Sequence, residues 1–565
     1  MRSAKDSSFF IYQLEQQQIE YDLGSENVLK RMGRVRGDRL SVGQRDYSLV
    51  VIPAEMDNID SPTLTLLTEY VNNGGKVLAF RDKIPCVDGG SSTAADELRS
   101  EAKDNWSIAA GPADSIALKF LQNEDFTLTD HSRNGMLYHQ RRILDDGQLL
   151  FIANCHKTEP AEATVTIRGK FVSRLDPITG KIFRYPLEKV NKGISFRISL
   201  APAGSALFAV TDQKFDEPAI IPDSGEETEI PGTGQITVDR KSDNIMVVDY
   251  LDLKTPVSDR KDIFFMDAAI GLFNDYGLEM GNPWQHKIQY RKNYLELDTL
   301  FEGIPGFEAS YHFKVTGDLD PDAAGQIRAV VERPGLWSVS VNEHDVPATP
   351  GKYWIDKDFA VYAVGSYLKH GENTLRLKAP RMHILAEIMP VYLLGDFLVK
   401  PSDKGFEITV GKIGSTGSWQ EAGMPFYPGK VAYSMSYSVN RDEGAAFKVK
   451  LRDWKGVVAE VLVNGRPAGI IAWQPYELDV TEWIQEGQND IKVTVTGSLK
   501  NTFGPFHDHS DDWIIGPHSW IKAPAHQPPG SNYFLSGYGL MEPFSLVTIT
   551  GRSLPGKGNE SFGVN

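Results

Sequence analysis

The chain has 565 residues, of which 41% are hydrophobic and 24% are charged. A chain of this length exceeds what one hydrophobic core serves, so we expect about three to five domains. Its 75 acidic residues outnumber the 59 basic ones and give a net charge of −16, which repels a phosphate backbone and excludes nucleic acid as the expected partner. The 51 glycines and 32 prolines supply many turns, which favours a mainly β architecture.

The chain contains two cysteines, Cys86 and Cys155, in segments that we assign to different domains. This number excludes a disulfide framework and a thiolate metal cluster. No apolar run reaches the roughly 18 residues needed to span a bilayer. The basic start Met1–Lys5 is not followed by the apolar stretch of a signal peptide. The residues by themselves therefore predict no membrane span and leave the location unknown.

Residues 8–120 are predicted to form a small flavodoxin-like α/β domain. A buried strand covers residues 46–53, Ser61-Pro62 begin a helix, and a second strand covers residues 76–80 after Gly74-Gly75. The paired glycines precede a strand instead of following one, so they do not present backbone amides to a phosphate at a helix start. We therefore interpret this domain as a scaffold and not as a nucleotide site.

Residues 127–213 alternate between apolar and polar positions, which predicts a small antiparallel β-sandwich with one solvated face. Residues 214–235 contain three prolines, clustered acidic side chains and few apolar groups. A segment of that composition does not bury enough apolar surface to fold alone. We therefore predict that residues 214–235 are a linker.

The C-terminal half contains one strand–turn–strand unit twice. In the first copy Val341-Asn342 is followed 31 residues later by Asn373, which stands in a Gly-x-Asn turn. In the second copy Val463-Asn464 is followed 25 residues later by Asn489, again in a Gly-x-Asn turn. A repeated unit indicates two copies of one module.

We predict that these modules are jelly-roll β-sandwiches of the galactose-binding type, over residues 236–400 and 401–555. Because the spacing within the repeat has diverged, only one copy needs to bind sugar, and we favour the second. Asn464-Gly465 itself is the preferred residue pair of a type I′ hairpin turn. We interpret that pair as a turn and not as a ligand contact.

Aromatic side chains bind sugars because the apolar C–H face of a pyranose stacks on a π surface. A β-sandwich must also fill its own core, and aromatics on one face usually do so. For any single tryptophan of the second sandwich, core packing is the preferred interpretation. The carbohydrate-binding candidates of that sandwich are Trp419, Phe426, Tyr427, Tyr433, Trp473 and Tyr476.

The densest polar segment of the chain runs from Lys500 to Trp513. A solvated Gly-Pro loop is the simplest interpretation, and a glycan-facing loop is the functional one. Alternate residues of an extended strand point to one side, so His507, His509 and Asp511 are also candidate metal ligands. The carbohydrate-binding candidates of this region are Asn501, His507, Trp513 and Trp520.

A glycosidase normally uses two carboxylates, which often lie at the strand ends of a (β/α)₈ barrel of about 250 residues. Nothing after residue 120 alternates strands with helices in that way, and the α/β segment before it is too short. We therefore expect a multidomain, mainly β chain without a (β/α)₈ barrel, and we assign no catalytic residue.

Short motifs occur in a fixed order along the chain: Glu20-Tyr21-Asp22, 50–53, 74–77, Arg142, 151–154, 175–180, 243–244, 248–250, 281–284, 354–356, 395–397, 423–429 with Tyr433, and 500–505. In this order they resemble the C-terminal half of glycoside hydrolase family 106, the α-L-rhamnosidase family. That family is related in architecture to the family 2 β-galactosidase clan. The resemblance covers about residues 14–550.

In that family the acid and base glutamates and a calcium site belong to the barrel, so the resemblance transfers neither a catalytic residue nor a calcium ligand to this chain. It implies a fragment of a longer enzyme or a paralogue reduced to accessory domains, acting in plant or microbial polysaccharide breakdown. The implied partner is a rhamnose-containing glycan or a catalytic barrel domain. The implied location is periplasmic or extracellular.

Two alternatives stay open beside the accessory region. One is an autonomous carbohydrate-active enzyme with its site between the β-sandwiches, around the loop from His507 to Trp520. The other is a purely structural multi-sandwich protein that binds no glycan.

Overall fold

The computed structural model describes residues 10–121, 125–132, 136–214, 226–278, 298, 301–317, 321–509 and 516–550. They divide into two compact units: one holds the described residues up to 214 with Trp473–Pro475, and the other holds the rest. The architecture is multidomain and mainly β, and none of the described sheets closes into a barrel. No helix of the described ranges is long and apolar enough to cross a membrane.

The first unit begins with an α/β layer. Its strands are β1 Gly33–Arg36, β2 Arg39–Val42, β3 Arg45–Tyr47, β4 Leu49–Ile52, β5 Asn58–Ile59, β6 Lys76–Ala79, β7 Cys86–Val87, β8 Gly90–Ser91 and β9 Trp106–Ile108. Its helices are 10–16, Glu26–Met32, Ser61–Asn72, Ala94–Ala102 and Ser115–Leu121, with a 3₁₀ turn at Lys103–Asn105.

A three-stranded parallel sheet, β4-β6-β9, forms the centre of this layer. Val77 and Leu78 of its middle strand are fully buried, as an apolar run between two layers requires. The helix Ser61–Asn72 lies between β4 and β6 in the chain, and Gly74 follows its end with a φ of +92°. The predicted strand–helix–strand unit is therefore confirmed.

A small antiparallel β-sandwich follows within the same unit. Its sheets have the orders β10-β13-β17-β16 and β11-β12-β18-β14-β15. Buried and exposed positions alternate along β13, as the sequence pattern predicts. The strands are β10 Phe126–Asp130, β11 Leu137–Leu144, β12 Gly147–Asn154, β13 Ala161–Ile167, β14 Phe171–Leu175, β15 Ile182–Arg184, β16 Glu188–Val190, β17 Gly193–Leu200 and β18 Ser205–Thr211.

An ion pair between a buried arginine and a partly exposed glutamate attaches the segment after the N-terminal helix to this sandwich. Arg141 donates two hydrogen bonds to the Glu20 carboxylate, at 2.9 and 2.8 Å, and its side chain is 5% exposed. Burial alone raises the pKa of Glu20, but hydrogen bonds from His139 and Arg141 outweigh that effect and lower the pKa to about 2. The ionised carboxylate therefore stabilises the attachment.

Acid should weaken this attachment. The Glu20 pKa is about 2 in the folded chain against an ordinary value of 4.5, so its stabilisation is complete above pH 4.5 and is lost as the pH falls towards 2. We expect Glu20→Gln to lower the melting temperature at pH 7, and the difference from wild type to shrink by pH 3. Circular dichroism melts at both pH values measure this, with exposed Glu188→Gln as the control. An equal difference at both pH values would contradict the assignment.

The described residues of the second unit form 24 further strands. They are β19 Glu226–Ile230, β20 Gly232–Arg240, β21 Asn244–Val248, β22 Tyr250–Lys254, β23 Asp259–Phe264, β24 Glu308–Val315, β25 Arg328–Glu332, β26 Ser338–Val341, β27 His344–Asp345, β28 Ala348–Trp354, β29 Asp356–Ala363, β30 Gly371–Lys378, β31 Val391–Gly395, β32 Leu398–Pro401, β33 Phe406–Thr409, β34 Lys430–Val439, β35 Ala446–Lys450, β36 Trp454–Lys455, β37 Val458–Val463, β38 Arg466–Ile471, β39 Glu477–Asp479, β40 Gly487–Thr496, β41 Gly539–Leu540 and β42 Ser545–Thr550. Its helices and 3₁₀ turns are Phe265–Asp275, Pro321–Gly325, Pro334–Leu336, Gly365–Tyr367, Lys500–Phe503, Pro517–Trp520 and Gly530–Asn532.

These strands form two jelly rolls of one topology. The first has the sheets β21-β31-β25-β29-β28 and β23-β22-β24-β30-β26-β27. The second has β19-β42-β35-β39 and β20-β34-β40-β37-β38. Taken in chain order, β21, β22, β24, β25, β26, β29, β30 and β31 occupy the same sheet positions as β19, β20, β34, β35, β37, β39, β40 and β42. The repeated module inferred from the sequence is therefore a repeated fold.

The first jelly roll is inserted into the second. β19 pairs with β42 and β20 pairs with β34, so the second jelly roll takes its first two strands from residues that precede the first. The prediction of a linker over 214–235 is thus wrong for residues 226–235, and the predicted division into 236–400 and 401–555 does not follow the strand pairing. Two of the acidic residues that suggested a linker form ion pairs across the sheet, Glu227 with Lys450 at 2.6 Å and Glu229 with Arg452 at 2.5 Å.

The repeated asparagines form one hydrogen-bond motif in each jelly roll. Asn342 Nδ2 donates to Asn373 Oδ1 at 2.8 Å, and Asn464 Nδ2 donates to Asn489 Oδ1 at 2.9 Å. In each copy the second asparagine also binds the backbone of its own Gly-x-Asn turn and is at most 1% exposed. The repeat in the sequence therefore records a buried structural contact.

The first asparagine of this contact lies in a hairpin turn in both copies. Asn464 and Gly465 have φ values of +52° and +75°, and Asn342 and Glu343 have +48° and +70°. Positive φ at both central residues is the mark of a type I′ turn, which suits the twist of the flanking strands. The interpretation of Asn464-Gly465 as a turn is supported by this geometry.

Loss of the asparagine pair should destabilise the second jelly roll. Asn489→Ala leaves the Gln485 and Gly487 backbone groups and the Asn464 amide without their partner, which costs about 1–3 kcal/mol. We expect a lower urea midpoint by tryptophan fluorescence, and no change for the exposed neighbour Gln488→Ala. Equal midpoints for Asn489→Ala and wild type would refute a structural role of the repeat.

Candidate functional site

Four of the predicted sugar-binding aromatics lie in the core. Trp419, Phe426, Tyr427 and Tyr433 are each at most 2% exposed. The Trp419 indole donates to the Tyr433 hydroxyl at 2.7 Å, and the Tyr427 hydroxyl donates to the Lys430 carbonyl at 2.9 Å. A ring without an exposed face offers no stacking surface, so core packing is the role that the structure gives these side chains.

Trp473 and Tyr476 differ in their exposure. Trp473 is 55% exposed, whereas Tyr476 is partly buried and packs edge-on against Trp454 with ring centroids 5.4 Å apart. Trp473 is the one of these two candidates that presents a ring face to solvent. It stays a candidate contact for a glycan.

The polar segment from Lys500 is largely buried and joins the two jelly rolls. We call residues 499–509 and 516–535 the joint. The Tyr533 hydroxyl donates to Asp249 Oδ1 at 2.7 Å, and His507 Nε2 lies 3.1 Å from Asp249 Oδ2. Asp249 belongs to the first jelly roll and is fully buried, and the side chain of His507 is 3% exposed. The expectation of a solvated or glycan-facing loop is therefore wrong for His507.

The other described candidates of the joint form hydrogen bonds to backbone carbonyls. Asn501 is 2% exposed, and its amide donates to the carbonyls of Pro425 and Ser536 at 2.9 and 2.7 Å. The Trp520 indole donates to the Phe503 carbonyl at 2.9 Å. Sequence pattern did not reveal this role because a polar segment looks the same whether its partners are water or a second sandwich. Trp513 lies outside the described residues.

The predicted metal ligands do not come together in the described part of the chain. His507 Nε2 faces Asp249, His509 packs against the Phe534 ring with centroids 5.5 Å apart, and Asp511 lies outside the described residues. The described ranges contain no group of three or more His, Cys, Asp or Glu side chains that could hold a metal ion.

A turn at one end of the first jelly roll combines three unusual features. We call residues 332–338 the crossover turn, because it leads from β25 in one sheet to β26 in the other. Arg333 stands in it with φ +53° and ψ +62°, a left-handed conformation that is costly for a residue with a side chain. Its amide donates to the Asp358 carbonyl at 2.9 Å, which holds that conformation. Strain of this kind is often found at functional sites.

The second feature is a shallow, open groove of about 320 Å³. The Trp337 indole donates to the Glu332 carbonyl at 2.8 Å, and its ring packs edge-on against Phe307 at 5.7 Å. These contacts fix the tryptophan as a rigid wall. The described lining consists of Gly335, Leu336, Trp337, Ser338, Lys378 and Pro380.

The third feature is a pair of unlike carboxylates at the turn, neither of which is among the described residues that line the groove. Burial, together with the charge of Glu387, raises the pKa of Glu332 to about 7, although Arg333 opposes the shift. Glu387 itself accepts a hydrogen bond from Arg333 Nε at 3.1 Å. A perturbed carboxyl, a strained backbone and a groove at one turn together mark it as the candidate site.

Sequence analysis missed Glu332, Arg333 and Lys378, and it favoured the second sandwich, whereas this groove lies in the first. One signal was present, because the run Gly335-Leu336-Trp337 opens the first copy of the repeat. The cation Lys378 has no motif of its own. It reaches the groove because it pairs with Ser338 across β30 and β26.

Neutralising Glu332 should change the pH dependence of stability. The pKa of Glu332 is about 7 in the folded chain against an ordinary value of 4.5, so folding favours the protonated carboxyl. The stability that this protonation contributes is present below pH 4.5 and is lost as the pH rises through 7. We expect Glu332→Gln to melt above wild type at pH 8 and close to it at pH 4. Circular dichroism melts check this, with Glu343→Gln as an exposed control. A constant difference over that range would contradict the raised pKa.

No protein-family model matches the chain. A stretch of 191 residues is 25% identical to a Formosa agariphila protein named "Putative beta-glucuronidase" and covers 29% of this chain and 16% of that protein. A solved rhamnosidase from Novosphingobium sp. PP1Y matches 94% of this chain and 36% of its own, at 13% identity and a TM-score of 0.45. The Streptomyces avermitilis α-L-rhamnosidase complexed with L-rhamnose matches 76% and 35%, at 11% identity and a TM-score of 0.20.

The chain therefore spans between 16% and 36% of the length of these three proteins. All three are named as glycosidases.

Proposed function

We propose that this chain is a carbohydrate-binding accessory region of an α-L-rhamnosidase-like glycoside hydrolase, of the family 106 type. The groove at the crossover turn is the observation that carries the proposal. The sequence similarity to a protein named as a β-glucuronidase and the pair of jelly rolls agree with it. The catalytic carboxylates would belong to a barrel domain that acts together with this region, in the periplasm or outside the cell.

The groove has the mixture of surfaces that a sugar needs. Leu336, Trp337 and Pro380 form an apolar wall against which the C–H face of a pyranose would pack. The Ser338 hydroxyl and the Lys378 ammonium would serve the ring hydroxyls. Trp337 is only 8% exposed, so it would act as a wall and not as an open stacking platform. Trp473 would be a separate, peripheral contact.

Binding can be tested with the whole chain by isothermal titration calorimetry against rhamnose-containing and glucuronate-containing oligosaccharides. We expect Leu336→Ala to weaken binding by about tenfold, because removing part of an apolar contact costs about 1.4 kcal/mol. The matched control is Tyr353→Ala, which removes a side chain that is 61% exposed and does not line the groove. Absence of binding by wild type, or an equal loss in both variants, would refute the proposal.

The accessory role has its own test. The chain alone should release no nitrophenol from nitrophenyl α-L-rhamnoside or nitrophenyl β-D-glucuronide. Turnover that survives His507→Ala and disappears in Glu332→Gln would instead favour an autonomous enzyme at the crossover turn.

A further inference from the structure

We infer that the groove at the crossover turn recognises acidic sugars, in which a pyranose carries a carboxylate or a sulfate ester, in preference to neutral ones. This inference rests on the proposed carbohydrate binding and names the class of ligand that the groove would take. It follows from the charge of the lining and not from the fold.

Lys378 is the charged residue among the described residues that line the groove. Its side chain is 63% exposed, and its ammonium is 3.4 Å from Glu308 Oε1. An exposed ion pair at that distance is weak, so the ammonium can exchange Glu308 for a ligand anion at little cost. The other described lining groups are apolar or uncharged, so Glu308 is the carboxylate that a ligand anion would have to displace.

The setting makes this cation unusual. The chain has a net charge of −16, yet the charged group among the described residues that line this groove is an ammonium. The acidic surface at large repels an anionic ligand only weakly, because charges beyond about 8–10 Å are screened at physiological ionic strength. The local ammonium therefore decides the preference.

The position of Lys378 is fixed by the sheet. It lies on β30 between Ser338 on one neighbouring strand and Glu308 on the other. Its backbone carbonyl also accepts a hydrogen bond from the Ser338 hydroxyl at 3.3 Å. A sugar whose ring lies against Leu336 and Trp337 would share the groove with this ammonium, so an acidic substituent of the ring could pair with it.

The test compares two disaccharides that differ only at C6 of the terminal ring, glucuronate against glucose, by calorimetry with the full chain at low and high salt. We expect the acidic sugar to bind about fivefold tighter at low salt, since an ion pair near a surface contributes about 1 kcal/mol, and the preference to shrink at high salt. A 6-sulfated glucose counterpart distinguishes the two sources of negative charge. Tighter binding of either acidic sugar supports the inference.

Three variants make the comparison specific. Lys378→Met should abolish the preference and keep the affinity for the neutral sugar within about twofold, while Glu308→Gln should strengthen binding of the acidic sugar. Lys369→Met, which removes an exposed lysine outside the groove, is the control. Circular dichroism melts confirm that each variant is folded.

The outcomes separate this inference from the proposed function. Equal affinity for the acidic and neutral sugars, or a preference that persists in Lys378→Met, overturns the inference and leaves carbohydrate binding intact. Failure of wild type to bind any of the three sugars overturns the inference, and the proposed function is overturned as well if the rhamnose-containing oligosaccharides also fail to bind.

Discussion

The pairing of β19 and β20 with β42 and β34 is the constraint on which the second unit depends. It joins residues 226–240 to strands that lie about 190 to 320 positions further along the chain. The two sheets of the second jelly roll are incomplete until the whole of the first has been made. Asn244 and Gly395, near the two ends of the inserted jelly roll, pair across β21 and β31, so the insert brings the two halves of the second jelly roll together.

Buried polar contacts then fix how the two jelly rolls meet. Asp249 is fully buried and receives the Tyr533 hydroxyl on one oxygen, with His507 beside the other. A buried carboxylate is costly unless such partners are present, so this contact selects one arrangement of the joint. The aromatic rings of Phe406, Phe426 and Phe506 fill the space around it. The most polar segment of the sequence thus serves packing.

Several features of the fold could be predicted from the residues alone. The strand–helix–strand unit around Ser61, the antiparallel sandwich and the type I′ turn at Asn464-Gly465 are local, and their sequence signals are local as well. The domain boundaries could not be predicted in this way. Glu227 and Glu229 looked like linker residues because their cationic partners, Lys450 and Arg452, are more than 200 positions away.

The candidate site shows the same division. Trp337 belongs to a run that the repeat already marked, but Arg333 and Lys378 reach the crossover turn only through strand pairing and a left-handed backbone. Conversely, Trp419 and Tyr433 have the composition of a sugar platform and are buried. Composition names the residue types that could bind a sugar, and it does not say which ring faces solvent.

The sequence by itself therefore determined the class of architecture and the existence of two related modules. Periodicity and turn residues are local signals, and the repeated asparagines lie within a single module. Only the tertiary structure decided that one module lies inside the other, that the His507 segment is a joint, and that the groove is in the first jelly roll. Those facts depend on which residues cover one another in the folded chain. Burial of a side chain is a property of its neighbours in space, and the neighbours that matter here are hundreds of residues apart.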